Sequence, residues 1–176
     1  MKINSLLLFL SLALPLGAAH ADLPATGASP KPGETQDAGF IQKAGQGGLA
    51  EVELSRMAIA QASSPDVKRF AQQMVDAHTQ SNRELGLIAA RQHQQMPAQM
   101  DDEHMKLRGR LEGTSGPEFD RIYLKAMIAD HEKMATLLGS AKGTSSDNAV
   151  EKFARNTLPA VEQHLEMARS LQSQLR

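Results

Sequence analysis

Residues 128–134 read Ile-Ala-Asp-His-Glu-Lys-Met, and they place a histidine inside an amphipathic pattern. Around this stretch, apolar residues recur at spacings of three and four, which is the repeat of one face of an α-helix. The stretch therefore predicts a core-facing helix that carries a histidine inward. The face comprises Phe119, Tyr123, Met127, His131, Met134 and Leu138.

The same repeat predicts three further long helices. A proline at position 159 lies inside the last of them, where it removes a backbone donor and should kink the helix. The predicted helices cover residues 38–62, residues 65–94, a segment opening at Gly116, and a segment from residues 146–148 to residue 175.

The connections between these helices indicate how they are arranged. Residues 98–116 are charged and separate two helical pairs, whereas the links within each pair are short. Met105, Leu107 and Leu111 hint at a short helix in this crossover. Short, long and short connections are typical of ferritin-like bundles. We predict an all-α fold: a four-helix up-down bundle, ferritin-like, with a long crossover between helices 2 and 3.

The composition excludes several classes of function. A chain of 176 residues can bury one core, and with only 3% aromatic residues that core must consist mostly of aliphatic side chains and methionine. The formal net charge is −1 and the basic residues are scattered, so no nucleic-acid surface is predicted. The absence of cysteine excludes disulfides, thiol nucleophiles and thiolate zinc sites.

The first residues have the pattern of a secretory signal. Lys2 precedes an apolar run from Leu6 to Leu16, and Ala19-His20-Ala21 is a cleavage motif. An uncleaved membrane anchor is the alternative, but the run is short for a bilayer span. We divide the chain into a signal peptide (1–21), a flexible leader (22–37) and the bundle domain (38–176). The product is expected in the periplasm or secreted, without a later transmembrane segment.

One polar residue from each long helix falls on the apolar face. Each lies near the middle of its helix, and the midpoints of antiparallel helices lie side by side, so the four could meet in one core layer. Three imidazoles and a carboxylate suit a divalent transition metal such as zinc, copper, iron or nickel. The predicted metal ligands are Glu51, His78, His131 and His164.

Neighbouring residues extend this hypothesis. Methionines one turn away would favour copper if their thioethers took part, and nearby carboxylates could orient the imidazoles. The methionines are Met74, Met127 and Met134, and the carboxylates are Glu53, Asp130, Glu132 and Glu162.

A structural reading competes with the metal site. A histidine on an apolar face is commonly a neutral, hydrogen-bonded core residue, and methionine at helical spacing commonly fills a core. Here Glu51 or Asp76 could be the partner. His93 and His104 are expected to face solvent, and Asp101 to His104 could hold a surface cation or form only a solvated loop. Enzyme activity is the least supported reading, because no phosphate loop or nucleophile elbow is present.

Several motifs resemble a bacterial family of unknown function whose members are often labelled "predicted outer membrane protein". The resemblance covers residues 40–171 and implies an exported ferritin-like bundle without an established activity. The Glu-x-x-His motif of ferritin-like di-metal proteins is missing from the predicted core helices, which argues against a di-iron oxidase. The motifs are Phe40-Ile41-Gln42-Lys43-Ala44, Ala50-Glu51-Val52-Glu53-Leu54, Met74-Val75-Asp76-x-His78, Ala129-Asp130-His131-Glu132-Lys133 and Thr157-Leu158-Pro159.

Two functions therefore compete. The first is an exported bundle that binds a transition metal in its core or acts in metal or oxidative stress. The alternative is a non-metal envelope-stress or protein-interaction module, with an envelope protein as partner and structural histidines. The sequence leaves the oligomeric state open.

Overall fold

The computed structural model describes residues 32–175, and these form five α-helices. The all-α prediction is confirmed, but the predicted count of four helices is one short. Four helices are long, and the fifth is the short helix α3 within the crossover. The helices are α1 (Pro32–Gln61), α2 (Pro65–Arg91), α3 (Asp102–Glu112), α4 (Gly116–Thr144) and α5 (Asn148–Gln174).

The start of α1 differs from the sequence prediction. Helix α1 begins at Pro32, so residues 32–37 of the predicted leader are helical. Proline suits a first helical turn because its missing N–H would be unpaired there in any case. The predicted signal peptide (1–21) and residues 22–31 of the leader lie outside the described residues.

The long helices form two hairpins. Helix α1 packs on α2, α4 packs on α5, and each pair is joined by three residues. Ser64 caps α2 by accepting a hydrogen bond from the Val67 N–H, with Pro65 in the first turn. The buried Asp120 carboxylate accepts hydrogen bonds from the Ser63 hydroxyl and from the N–H groups of Ser63 and Ser64. This carboxylate ties the first hairpin to the beginning of the second.

The crossover returns the chain along the bundle. Helices α1 and α4 are antiparallel, because Gln36 bonds Thr144 at one end and Ser55 bonds Tyr123 further along. Helices α2 and α4 therefore run in the same direction, which requires a connection along the length of the bundle. Within it, α3 contacts both α1 and α4. The long helices thus follow the order up, down, down, up.

Two hydrophobic clusters fill the interior, and a polar layer lies between them along each long helix. On α4, for example, Tyr123 and Met127 belong to one cluster, Leu138 belongs to the other, and His131 lies between them. Helix α5 repeats the order, with Val161 in the second cluster, Ala168 in the first and His164 between. The fold therefore places a thin polar layer in the middle of an apolar core.

Helix α5 runs from Asn148 to Gln174 without interruption at Pro159.

Among residues 32–175, no helix combines the length and apolar character that a bilayer span requires.

Candidate metal centre

The polar layer contains all four predicted ligands, one from each long helix. Glu51 on α1, His78 on α2 and His131 on α4 are buried, with 1%, 7% and 0% of their surface exposed. His164 on α5 is half-buried. Each position is flanked by apolar residues three or four places away, which lie on the same helix face and favour its burial in the core.

The three imidazoles form a compact triangle. Their ring centroids are 5.5 Å apart for His78 and His131, 5.8 Å for His78 and His164, and 5.6 Å for His131 and His164. One nitrogen from each ring lies within 4.8 Å of the corresponding nitrogens of the other two. The usual distance from a metal to an imidazole nitrogen is about 2.1 Å, so the three rings would have to move slightly closer together to bind one ion.

The Glu51 carboxylate contacts two of these rings on the same side. Its Oε2 lies 2.7 Å from Nδ1 of His78, and its Oε1 lies 3.1 Å from Nδ1 of His131. His131 Nδ1 also lies 2.8 Å from the carbonyl oxygen of Met127. A carbonyl only accepts, so Nδ1 of His131 carries the proton. In neutral His131 the lone pair is therefore on Nε2.

Each of the three rings has one buried nitrogen without a hydrogen-bond partner among residues 32–175. These atoms are Nε2 of His78, Nε2 of His131 and Nδ1 of His164. Oε2 of Glu51, although close to His78, also lacks a hydrogen bond of good geometry. An unpaired buried polar atom costs roughly 1–3 kcal/mol, so several in one layer call for a specific explanation. A cation shared by the three lone pairs would satisfy them together.

The charges of the layer are strongly coupled. Burial raises the pKa of Glu51, but the nearby charges of His78 and His131 outweigh burial and bring the pKa to about 2. Burial opposes the charged form of His78, yet the Glu51 carboxylate raises its pKa overall. Burial and the two other histidines lower the pKa of His164 to about 4. Glu51 is thus ionised and His164 neutral near pH 7, whereas His78 must give up a proton before its Nε2 can bind a cation.

Glu51 therefore differs in position from the three histidines. Its carboxylate lies against the Nδ1 atoms, and the group of closely spaced donors comprises the histidines. The role of Glu51 as a fourth ligand stays a prediction. The arrangement matches a carboxylate that holds ligating histidines from behind.

The carboxylates predicted to orient the histidines lie elsewhere. Glu53 pairs with Arg108, and Glu132 pairs with Arg169. Asp130 pairs with His104 and lies 3.8 Å from Lys133, while Glu162 is exposed. Side chains next to a core residue in sequence project around the helix to another face, and for this reason they do not reach the imidazoles.

His104 was predicted to face solvent, and this prediction was wrong. Only 7% of its surface is exposed, and its ring lies between Asp101 (Nδ1 to Oδ1, 2.8 Å) and Asp130 (Nε2 to Oδ2, 3.4 Å). The sequence held the signal, because His104 precedes Leu107 and Leu111 at helical spacing on the buried face of α3. His93 is exposed, as predicted.

The methionines near the layer are core residues in this structure. Met74 and Met127 are fully buried in one hydrophobic cluster, and Met134 packs partly buried against the other. Their predicted preference for copper stays a prediction.

The chain is similar to one solved structure and matches one protein family. The fold is similar to that of the structure described as "CopM in the Cu(II)-bound form", with a TM-score of 0.69 and 16% sequence identity. The similarity covers 80% of this chain and 97% of that one, and at this identity it concerns the fold alone. No curated protein matches the chain. Residues 22–171 match the model of a domain of unknown function, DUF4142, and the chain therefore belongs to this family.

Proposed function

We propose that this protein binds a divalent transition metal in the middle of its bundle, through His78, His131 and His164. One observation carries the proposal: the three rings bring one nitrogen each within 4.8 Å of the others, and each ring has a buried nitrogen without a hydrogen-bond partner. Neutral imidazole nitrogen is a common ligand for zinc, copper, iron and nickel.

Glu51 has a distinct role in this proposal. By contacting Nδ1 of His78 and His131, its carboxylate keeps protons on those nitrogens and directs the Nε2 lone pairs toward the ion. Its negative charge also offsets the charge of a buried cation. We therefore assign Glu51 to orientation and charge balance, and the three histidines to coordination.

Copper is the metal we would test first. Among divalent ions of the first transition row, Cu(II) has the highest affinity for a given set of nitrogen ligands. The similar fold of CopM was determined with Cu(II) bound, which supports the same choice. Zinc, iron and nickel remain the other candidates for the site.

We further propose that the protein is exported and acts in the periplasm in metal or oxidative stress, without being an enzyme. The predicted signal peptide supports export, and the family match begins at residue 22, directly after the predicted cleavage motif. The long crossover and the up, down, down, up order support a ferritin-like assignment.

The alternative is an interaction module with structural histidines. The contacts between Glu51 and two imidazoles favour it, since they are what a buried ion pair needs. It leaves His164 unexplained, because Nδ1 of that residue is buried without a partner. His164 is therefore the residue at which the two functions make opposite predictions.

The test is a Cu(II) titration of the mature protein, without a histidine tag, and of its His164→Ala variant. We expect one ion per wild-type chain and a large loss of affinity in the variant, whose metal-free stability should stay within about 1 kcal/mol of wild type. His93→Asn is the control, because His93 is exposed with a positive φ of 55° that asparagine tolerates. Equal Cu(II) affinity in wild type and His164→Ala would refute the metal site.

A further inference from the structure

A pocket of about 400 Å³ lies between α1, α4 and the beginning of the crossover helix α3. Its wall reaches inward to Glu51, whose side chain is only 1% exposed. The same carboxylate contacts His78 and His131. The pocket and the histidine layer are thus connected through one side chain.

Carboxylates continue along the wall of the pocket toward solvent. Asp130 is largely buried at 11% side-chain exposure, and Glu103 is 75% exposed. Lys133 bonds Glu103 at 2.9 Å and lies 3.8 Å from Asp130, so its flexible ammonium group neutralises Glu103 and shares Asp130 with His104, whose Nε2 lies 3.4 Å from Asp130 Oδ2. A divalent cation that displaced this ammonium group would find carboxylate oxygens from the surface to Glu51.

A glycine on the inner part of the wall allows a methionine to pack closely against α1. A Cβ atom at Gly47 would lie 3.1 Å from the terminal methyl of Met134, and both residues line the pocket. Any larger residue at position 47 would force the Met134 side chain to move. Glycine costs about 1 kcal/mol relative to alanine within a helix, and the close approach of Met134 gives a reason for that cost here.

We propose that metal ions reach the histidine layer through this pocket, passing the carboxylates of Glu103 and Asp130 before Glu51. The proposal rests on the metal-binding function above and adds the route of uptake. The competing route passes His164, which is half-buried and could receive an ion directly from solvent.

The route can be blocked after the protein has folded. The chain contains no cysteine, so a Thr136→Cys variant carries a unique thiol on the exposed wall of the pocket. Ser173→Cys is the matched control, since both hydroxyls lie on helix surfaces and donate to a carbonyl of their own helix. Each metal-free variant is alkylated with a bulky maleimide and mixed with Cu(II) supplied as its glycine complex.

The readout is the rate of metal uptake together with the final affinity. Tyr123 is the single tyrosine and the chain has no tryptophan, so quenching of its fluorescence follows Cu(II) binding. Alkylated Thr136→Cys should take up Cu(II) about tenfold more slowly or worse at unchanged stoichiometry, because uptake then needs local opening of the bundle. Alkylated Ser173→Cys should match wild type.

Two results would overturn the route. An unchanged uptake rate in alkylated Thr136→Cys, with normal stoichiometry, would assign uptake to the path past His164 and leave the metal site intact. Absence of bound Cu(II) in the unmodified protein would overturn the route and the proposed function together.

Discussion

Glu51 is the residue on which the polar layer depends. Its ionised carboxylate is buried in the middle of the bundle, and its contacts with His78 and His131 are what make that burial tolerable. In the proposed site the same contacts fix the histidine tautomers, so one residue serves both stability and coordination.

Replacing Glu51 with glutamine should weaken Cu(II) binding by roughly 10- to 100-fold, because the histidines lose the carboxylate that orients them. Isothermal titration with a competing chelator measures this change. Glu53→Gln is the matched control, since Glu53 lies two residues away and pairs with Arg108 near the surface. Equal losses of affinity in the two variants would contradict the role assigned to Glu51.

His104 should make the stability of the fold depend on pH. The Asp130 carboxylate raises the pKa of His104, burial opposes it, and Asp101 adds to the rise, giving a pKa of about 9 against an ordinary value of 6.5. A raised pKa means that the folded state holds the proton more tightly. The stabilisation is therefore complete below pH 6.5 and is lost as pH rises through about 9.

This dependence is measured by urea unfolding between pH 6 and pH 10. Wild type should lose roughly 2 kcal/mol more than a His104→Asn variant over that range, since the variant lacks the titrating group. Parallel pH profiles for the two proteins would show that His104 does not couple to Asp101 and Asp130 as the structure indicates.

At the scale of elements, two glycines lie on helix faces with different packing: one face is in close contact with a neighbouring segment and the other is open. A Cβ atom at Gly45 on α1 would lie 2.7 Å from two ring carbons of Pro97, just beyond the end of α2. At Gly139 on α4 no atom lies within 4 Å of the same Cβ position. The same substitution should therefore act in opposite directions at the two sites.

Gly45→Ala should lower the free energy of unfolding by about 1–3 kcal/mol, because the rigid proline ring must move. Gly139→Ala should raise it by up to about 1 kcal/mol through better helix propensity alone. Chemical denaturation of both variants tests the pair. If Gly45→Ala raised the free energy of unfolding instead, the loop that carries Pro97 would have to move at no cost in stability.

For the whole molecule, metal binding should be coupled to folding, since the ligands come from three different helices and converge only in the native state. Free Cu(II) at about 100 times its dissociation constant should stabilise wild type by roughly 2.7 kcal/mol. Thermal melts with Cu(II) and with chelator measure the effect. His164→Ala should show no such shift, and a shift of equal size there would place the ion elsewhere.

The sequence by itself determined the helical class and the residues of the polar layer. Periodicity of three and four is a local property of each helix, so it located Glu51, His78, His131 and His164 on inward faces without any knowledge of the packing. The first and last residues of the helices were less well determined, because capping and contacts with neighbouring elements set where a helix begins and ends. Helix α1 begins earlier and α2 ends earlier than predicted.

Only the tertiary structure decided what these residues do to one another. Periodicity gives the face of a helix, but the rotation and height of one helix against the next depend on packing across the whole core. The structure places the Glu51 carboxylate on the Nδ1 side of two histidines, which no periodicity could show. It also pairs His104 with Asp130, and no local pattern encodes a contact between residues so far apart in sequence.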